Sequence, residues 1–121
     1  MSNTEPAGQP SQLTVVSTTT ADGIHVLTVT GEIDQTSGSR LQQAMAVPAG
    51  PRPRIVIDMS GVTFMDSTGI NILILAHRAL DDAGGSLRLA APGESVTRVM
   101  HIVGLDTIID CYPTLEQALN T

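Results

Sequence analysis

Lysine is absent from this chain of 121 residues, and its six basic residues, all arginine, stand against 12 acidic ones, for a formal net charge of -6. A protein that grips a phosphate backbone needs a positive footprint, so nucleic acid is not expected as a direct partner. Aromatic residues are 2% of the chain, with Phe64 and Tyr112 alone and no tryptophan, which removes the stacking platforms used for single strands. Without a lysine there is also no Gly-x-x-x-x-Gly-Lys loop of the nucleotide-cleaving kind. The lone Cys111 has no partner for an internal disulfide and is expected to be a small buried residue. The longest strictly apolar run, Ile72 to Ala76, falls far short of the roughly 20 residues that cross a bilayer. No basic stretch followed by an apolar segment of signal-peptide length opens the chain. These absences lead us to expect a reducing, cytoplasmic setting without membrane insertion.

What is present suits one globular domain. The hydrophobic fraction is 41% and the charged fraction 15%, and a domain of this length buries about two-thirds of the surface its unfolded chain exposes. Residues 1–12, with Pro6, Gly8 and Pro10 among polar neighbours, show no periodicity and are expected to be a flexible tail. Two β-branched runs, Leu13 to Thr18 and Ile24 to Thr30, flank Asp22-Gly23 and predict an antiparallel hairpin. Leu41, Ala44 and Met45 then share one helical face, with Thr36 or Ser37 available as a cap, and the prolines at 48, 51 and 53 end that helix. Ile55-Val56-Ile57 has the continuous apolar character of a central strand covered on both faces.

A polar stretch from Ser60 to Thr68 is read as a loop, leading into a helix over Gly69 to Ala83 with Ile70, Leu73, Ile74 and Leu80 inside and Gly84-Gly85 as its stop. Leu87 and Leu89 alternate with polar neighbours as a strand. Val96, Val99, Met100 and Val103 repeat as a helix ended by Gly104, a short strand follows around Thr107 to Cys111, and Thr114-x-x-Gln117 is a capping box for a last helix. Strands alternating with helices after a hairpin predict an α/β fold, a mixed four- to five-stranded sheet with right-handed crossovers and about four helices packed on it. In such sheets, partner and ligand sites gather where strand C-termini feed helix N-termini.

The third strand leads into Met65-Asp66-Ser67-Thr68-Gly69-Ile70, two hydroxyls and a carboxylate just before a strongly apolar helix. Asp66 or Ser67 serves there as an N-cap, worth about 1 kcal/mol. The same helix start tolerates added negative charge through its dipole and free N–H groups. A phosphate on Ser67 would therefore leave the fold intact, while a partner burying the loop would have to desolvate a near-dianion. Hydrolysis is not supported. The first glycine of a Gly-x-Ser-x-Gly elbow is missing, His77 lies ten residues beyond Ser67, and His25 and His101 have no assignable place. Nor do His25, His77, His101 and Cys111 show close ligand spacing, so neither a metal nor a cofactor is expected.

Gly31-Glu32-Ile33-Asp34 after the second strand, followed by Ile57 to Ile70 with Asp58-Met59-Ser60-Gly61-Val62-Thr63-Phe64-Met65-Asp66-Ser67-Thr68-Gly69 between, resembles the STAS domain of bacterial anti-sigma factor antagonists. The resemblance covers roughly residues 13 to 120, and the domain is expected over residues 13–121. It implies a partner-switching regulator rather than an enzyme. The partner is an anti-sigma factor with serine-kinase (ATPase) activity that phosphorylates Ser67 and thereby lets the antagonist go. A serine phosphatase restores the serine and, with it, capture of the anti-sigma factor and release of the sigma factor. By the same resemblance Asp34, Asp66, Thr68, Gly69, Ile70 and Asn71 shape or contact the partner interface, and the free protein is a monomer or weak dimer. Two positions depart from many relatives: Asn71 stands where a small residue is frequent, and Thr68 where a second serine is common. The competing expectation is a STAS scaffold within a transporter or sensory assembly, using the same loop for docking without phosphate.

Overall fold

A computed structural model describes residues 13–120. The expected flexible tail at residues 1–12 lies outside them. Five strands form one sheet in the order β1-β2-β3-β4-β5: β1 (Leu13–Thr19), β2 (His25–Ile33), β3 (Arg54–Met65), β4 (Ser86–Ala90) and β5 (Asp110–Tyr112). Only β1 runs antiparallel, paired with β2 in unbroken register from Leu13↔Gly31 to Thr19↔His25. The other pairs are parallel, joined by crossovers through α1 (Gly38–Ala44), α2 (Ser67–Asp82) and α3 (Glu94–Ile102), with α4 (Leu115–Leu119) after β5. This is the expected α/β architecture, with five strands and four α-helices among the described residues.

Alternation along the strands divides the core. Leu27, Val29, Ile55, Ile57, Leu87 and Leu89 meet Leu41 of α1, Leu73 and Leu80 of α2, and Val96 and Met100 of α3 on one face. On the other face a smaller cluster of Ile24, Val26, Val56 and Ala90 packs on Ala118 of α4. The Ile55-Val56-Ile57 run is thus covered on both sides, as its composition predicts. No helix among the described residues is long and apolar enough to cross a membrane.

Several expectations shift. The stretch expected as a loop from Ser60 is strand as far as Met65, and α2 begins at Ser67, earlier than Gly69. Between Thr28 and Thr30, and again between Gly31 and Glu32, β3 carries one more residue than β2. These bulges turn its buried positions from Ile57 and Met59 to Val62 and Met65, a spacing of three that no regular strand shows. The 3-10 turn Leu105–Thr107 occupies the start of the stretch expected as the last strand, which moves to Asp110–Tyr112. Val103, expected inside, is exposed. The stop of α2 is as expected: Gly85 N–H reaches Leu80 O at 2.8 Å and Gly84 N–H reaches Asp81 O at 3.0 Å, the paired closure of a helix with a left-handed glycine.

Candidate functional site

Because β2 and β3 are parallel neighbours, both end on the same side of the sheet, and their helices start there together. Ile33 pairs with Met65, and the Asp66 N–H donates to Ile33 O at 3.1 Å, locking one junction to the other. Asp66 is extended, and its carboxylate accepts the Thr68 N–H at 2.8 Å, an N-cap on α2. The helix thus begins with Ser67, whose side chain is exposed.

The β2–α1 junction is built around Asp34. One of its carboxylate oxygens, Oδ1, accepts from the Thr36 N–H at 3.0 Å, the Thr36 hydroxyl at 2.8 Å and the Ser37 N–H at 3.0 Å. The Thr36 hydroxyl is the chief reason the Asp34 carboxyl titrates below the ordinary aspartate range, opposed by partial desolvation and aided by the Ser37 contacts. Ser37, expected as a possible helix cap, makes no cap bond. Its buried hydroxyl donates to Glu32 O at 2.7 Å and accepts the Asp34 N–H at 3.0 Å, cross-bracing the turn instead.

Two glycines let the junctions touch. A Cβ on Gly38 would lie 2.8 Å from Thr68 Cγ2 and 3.1 Å from Ile72 Cδ1; one on Gly69 would lie 2.6 Å from Met65 Cγ and 2.7 Å from Ile33 Cγ2. The start of α1 therefore seats directly against the first turn of α2. Asp34, Asp66, Ser67 and Thr68 are brought together, although 31 positions separate the two aspartates in the chain. Neither Asp34 to Gly38 nor Asp66 to Asn71 contains a basic residue.

The site residues divide by exposure. Ser67 and Asn71 are exposed, and Asp34, Asp66 and Thr68 are partly so. Gly69 is buried and Ile70 is 9% exposed, within the core, so these two support the junction from beneath. Sequence reasoning missed Gly38 and the bracing role of Ser37, since both depend on packing between elements. It also passed over two surface residues: Phe64, 47% exposed just before the site, and Leu75, 57% exposed on the same side of α2 as Ser67 and Asn71. For Leu75 the signal was available, because it follows Asn71 by one helical turn.

Acid–base chemistry finds no support at Ser67. His77 lies ten residues along α2, about 15 Å at 1.5 Å per residue, with its buried Nδ1 unpartnered. Among the described residues no cluster of three or more His, Cys, Asp or Glu side chains could hold a metal ion.

Comparison with known proteins matches the STAS domain to residues 15–118. The anti-sigma-F factor antagonist RsfB of Mycobacterium tuberculosis is 34% identical over 115 residues, covering 91% of this chain and 89% of that protein. The anti-sigma-B factor antagonist of Bacillus subtilis is 33% identical over 82 residues, 68% of this chain and 75% of that one. Among solved structures, that of an anti-sigma factor antagonist from Mycobacterium paratuberculosis superposes with a TM-score of 0.78 at 35% identity, covering 91% of this chain and 93% of the other.

Proposed function

This chain belongs to the STAS-domain family, and on that premise we propose that it is an anti-sigma factor antagonist switched by phosphorylation of Ser67. The observation that carries the proposal is an exposed serine at the first position of α2, on a junction whose backbone is already held by Asp66, Asp34 and Ser37. A phosphate there meets the favourable end of the helix dipole, so the modified protein keeps its fold. The partner experiences the change. With no basic residue in Asp34 to Gly38 or in Asp66 to Asn71, a phosphoserine there adds to the negative charge of Asp66 and Asp34. Burying it in an interface costs several kcal/mol, and even about 4 kcal/mol is about a thousandfold in affinity.

In this scheme the unphosphorylated chain binds an anti-sigma factor that is also a serine kinase, through Asp34, Asp66, Ser67, Thr68 and Asn71. Gly69 and Ile70 hold the surface in shape. The kinase transfers the phosphoryl group from ATP to the Ser67 oxygen and the antagonist is released; a serine phosphatase hydrolyses the phosphoester and restores binding. The chain is the kinase's substrate, acts in the cytoplasm, and needs no cofactor of its own.

The test is capture from a soluble lysate on immobilised wild type, Ser67→Ala and Ser67→Asp, with and without ATP. Wild type and Ser67→Ala are expected to retain an ATPase, Ser67→Asp to lose it by at least a hundredfold in affinity, and wild type to release it once ATP is added. Identical retention by all three regardless of ATP would overturn the switch and leave the loop as a fixed docking surface.

A further inference from the structure

The two edges of the sheet are treated differently. β5 is three residues long, carries Asp110, and is followed at once by Pro113, three features that discourage further pairing. β1 has none of them: Leu13-Thr14-Val15-Val16-Ser17-Thr18-Thr19 contains no charge, no proline and no glycine, and its register with β2 is unbroken. The Thr20 N–H donates to Ile24 O at 2.9 Å. By the alternation of an antiparallel ladder, the backbone groups of Leu13, Val15, Ser17 and Thr19 then face outward. Arg40 bears this out by donating to the outward Leu13 carbonyl at 2.9 Å. Beside this edge, an open groove of about 550 Å3 runs between β1 and α1, lined by Val15, Ser17, Leu27, Arg40 and Ala44 among others.

We propose that the outer edge of β1 is a self-association surface, at which a second copy of this chain adds its own β1 antiparallel about Val16. In that register the outward residues pair with one another, Val15 with Ser17 and, where Arg40 shares or yields the Leu13 carbonyl, Leu13 with Thr19 of the second copy. The two Val16 side chains, each 52% exposed in the free chain, become close cross-strand neighbours at the two-fold axis. Symmetry favours the antiparallel sense, because a two-fold axis closes the contact after one partner. No charge lies within the seven paired residues. Because the two β1 strands run antiparallel and each site lies at the C-terminal ends of its own β2 and β3, the sites of the two copies lie at opposite ends of the ten-stranded sheet, and both Ser67 side chains stay open.

A single strand pair buries less than the roughly 1,200 Å2 of a standard interface, so the dimer is weak and concentration-dependent. Sedimentation velocity from about 10 μM to 1 mM is expected to show a growing dimer fraction. Val16→Lys, which sets two cations at the axis, and Ser17→Pro, which removes an outward N–H that β2 does not use, are each expected to remain monomeric across that range. Both positions are exposed, and circular dichroism checks that the variants are folded. With Cys111→Ser as background, Val16→Cys is expected to form an intermolecular disulfide on mild oxidation and Thr18→Cys is not. A monomer throughout the range overturns the proposal, as does a dimer that persists in both variants. Cross-linking through Thr18→Cys in place of Val16→Cys overturns the register.

Discussion

Asp34 shapes its loop by accepting hydrogen bonds, four of them from Thr36 and Ser37 on one carboxylate oxygen, and those bonds favour the charged form. Its folded-state pKa is therefore below the value in the unfolded chain, led by the Thr36 hydroxyl. A depressed carboxyl contributes its full stability above the unfolded pKa and loses it as pH falls through the folded one. Thermal melts of wild type and Asp34→Ala across about pH 6 to 2 are expected to show wild type more stable at the upper end, with the gap closing on acidification. A constant gap would mean that the carboxylate's charge plays no part. Cys111 moves the other way: burial, then the charges of Asp106 and Asp110, push its thiol up, which makes it a poor nucleophile at neutral pH.

At the scale of elements, contact between the first turns of α1 and α2 holds the site together, and small residues permit it. Gly69→Ala would push a methyl into Met65 and into Ile33, which is 1% exposed and cannot withdraw. Overpacking of this kind costs about 1–3 kcal/mol, offset in part by the helix preference for alanine of about 1 kcal/mol. Denaturant unfolding is expected to show a net loss of up to about 2 kcal/mol, and a gain would mean that the two junctions have slack between them. The same scale explains the misplaced strand end. Positions 57, 59, 62 and 65 of β3 are buried, and the two intervals of three arise from extra residues opposite β2. A strand pattern read along one chain assumes a period of two. Bulges are defined against a partner strand, so that pattern could not reveal them.

For the whole molecule, the net charge of -6 acts at a distance. If the partner surface is basic, electrostatic steering accelerates encounter and salt screens it. Stopped-flow association with the anti-sigma factor is expected to slow about tenfold or more between about 50 and 500 mM salt while dissociation changes little. A rate indifferent to salt would place the acidic surface away from the partner. The proposed β1 dimer and the Ser67 surface are on separate parts of the sheet, so Val16→Lys is expected to leave affinity for the partner unchanged.

The amino-acid sequence by itself determined the α/β class, the antiparallel opening, the central position of Ile55-Val56-Ile57 and the stop of α2 at Gly84-Gly85. These follow from local periodicity and turn chemistry, which neighbouring residues carry between them. It also placed Ser67 at a strand-to-helix junction, with Asp66 or Ser67 as the cap, of which the structure takes Asp66. Only the tertiary structure decided that Asp34 lies beside that junction, that Ser37 braces a turn and caps no helix, that Gly38 and Gly69 are contact points, and that Ile70 faces the core while Leu75 does not. Each depends on how β2 and β3 register and how α1 seats on α2. Pairing and packing join residues distant in the chain, so their outcome is set by shape and space in the folded molecule and leaves no periodic mark in the sequence.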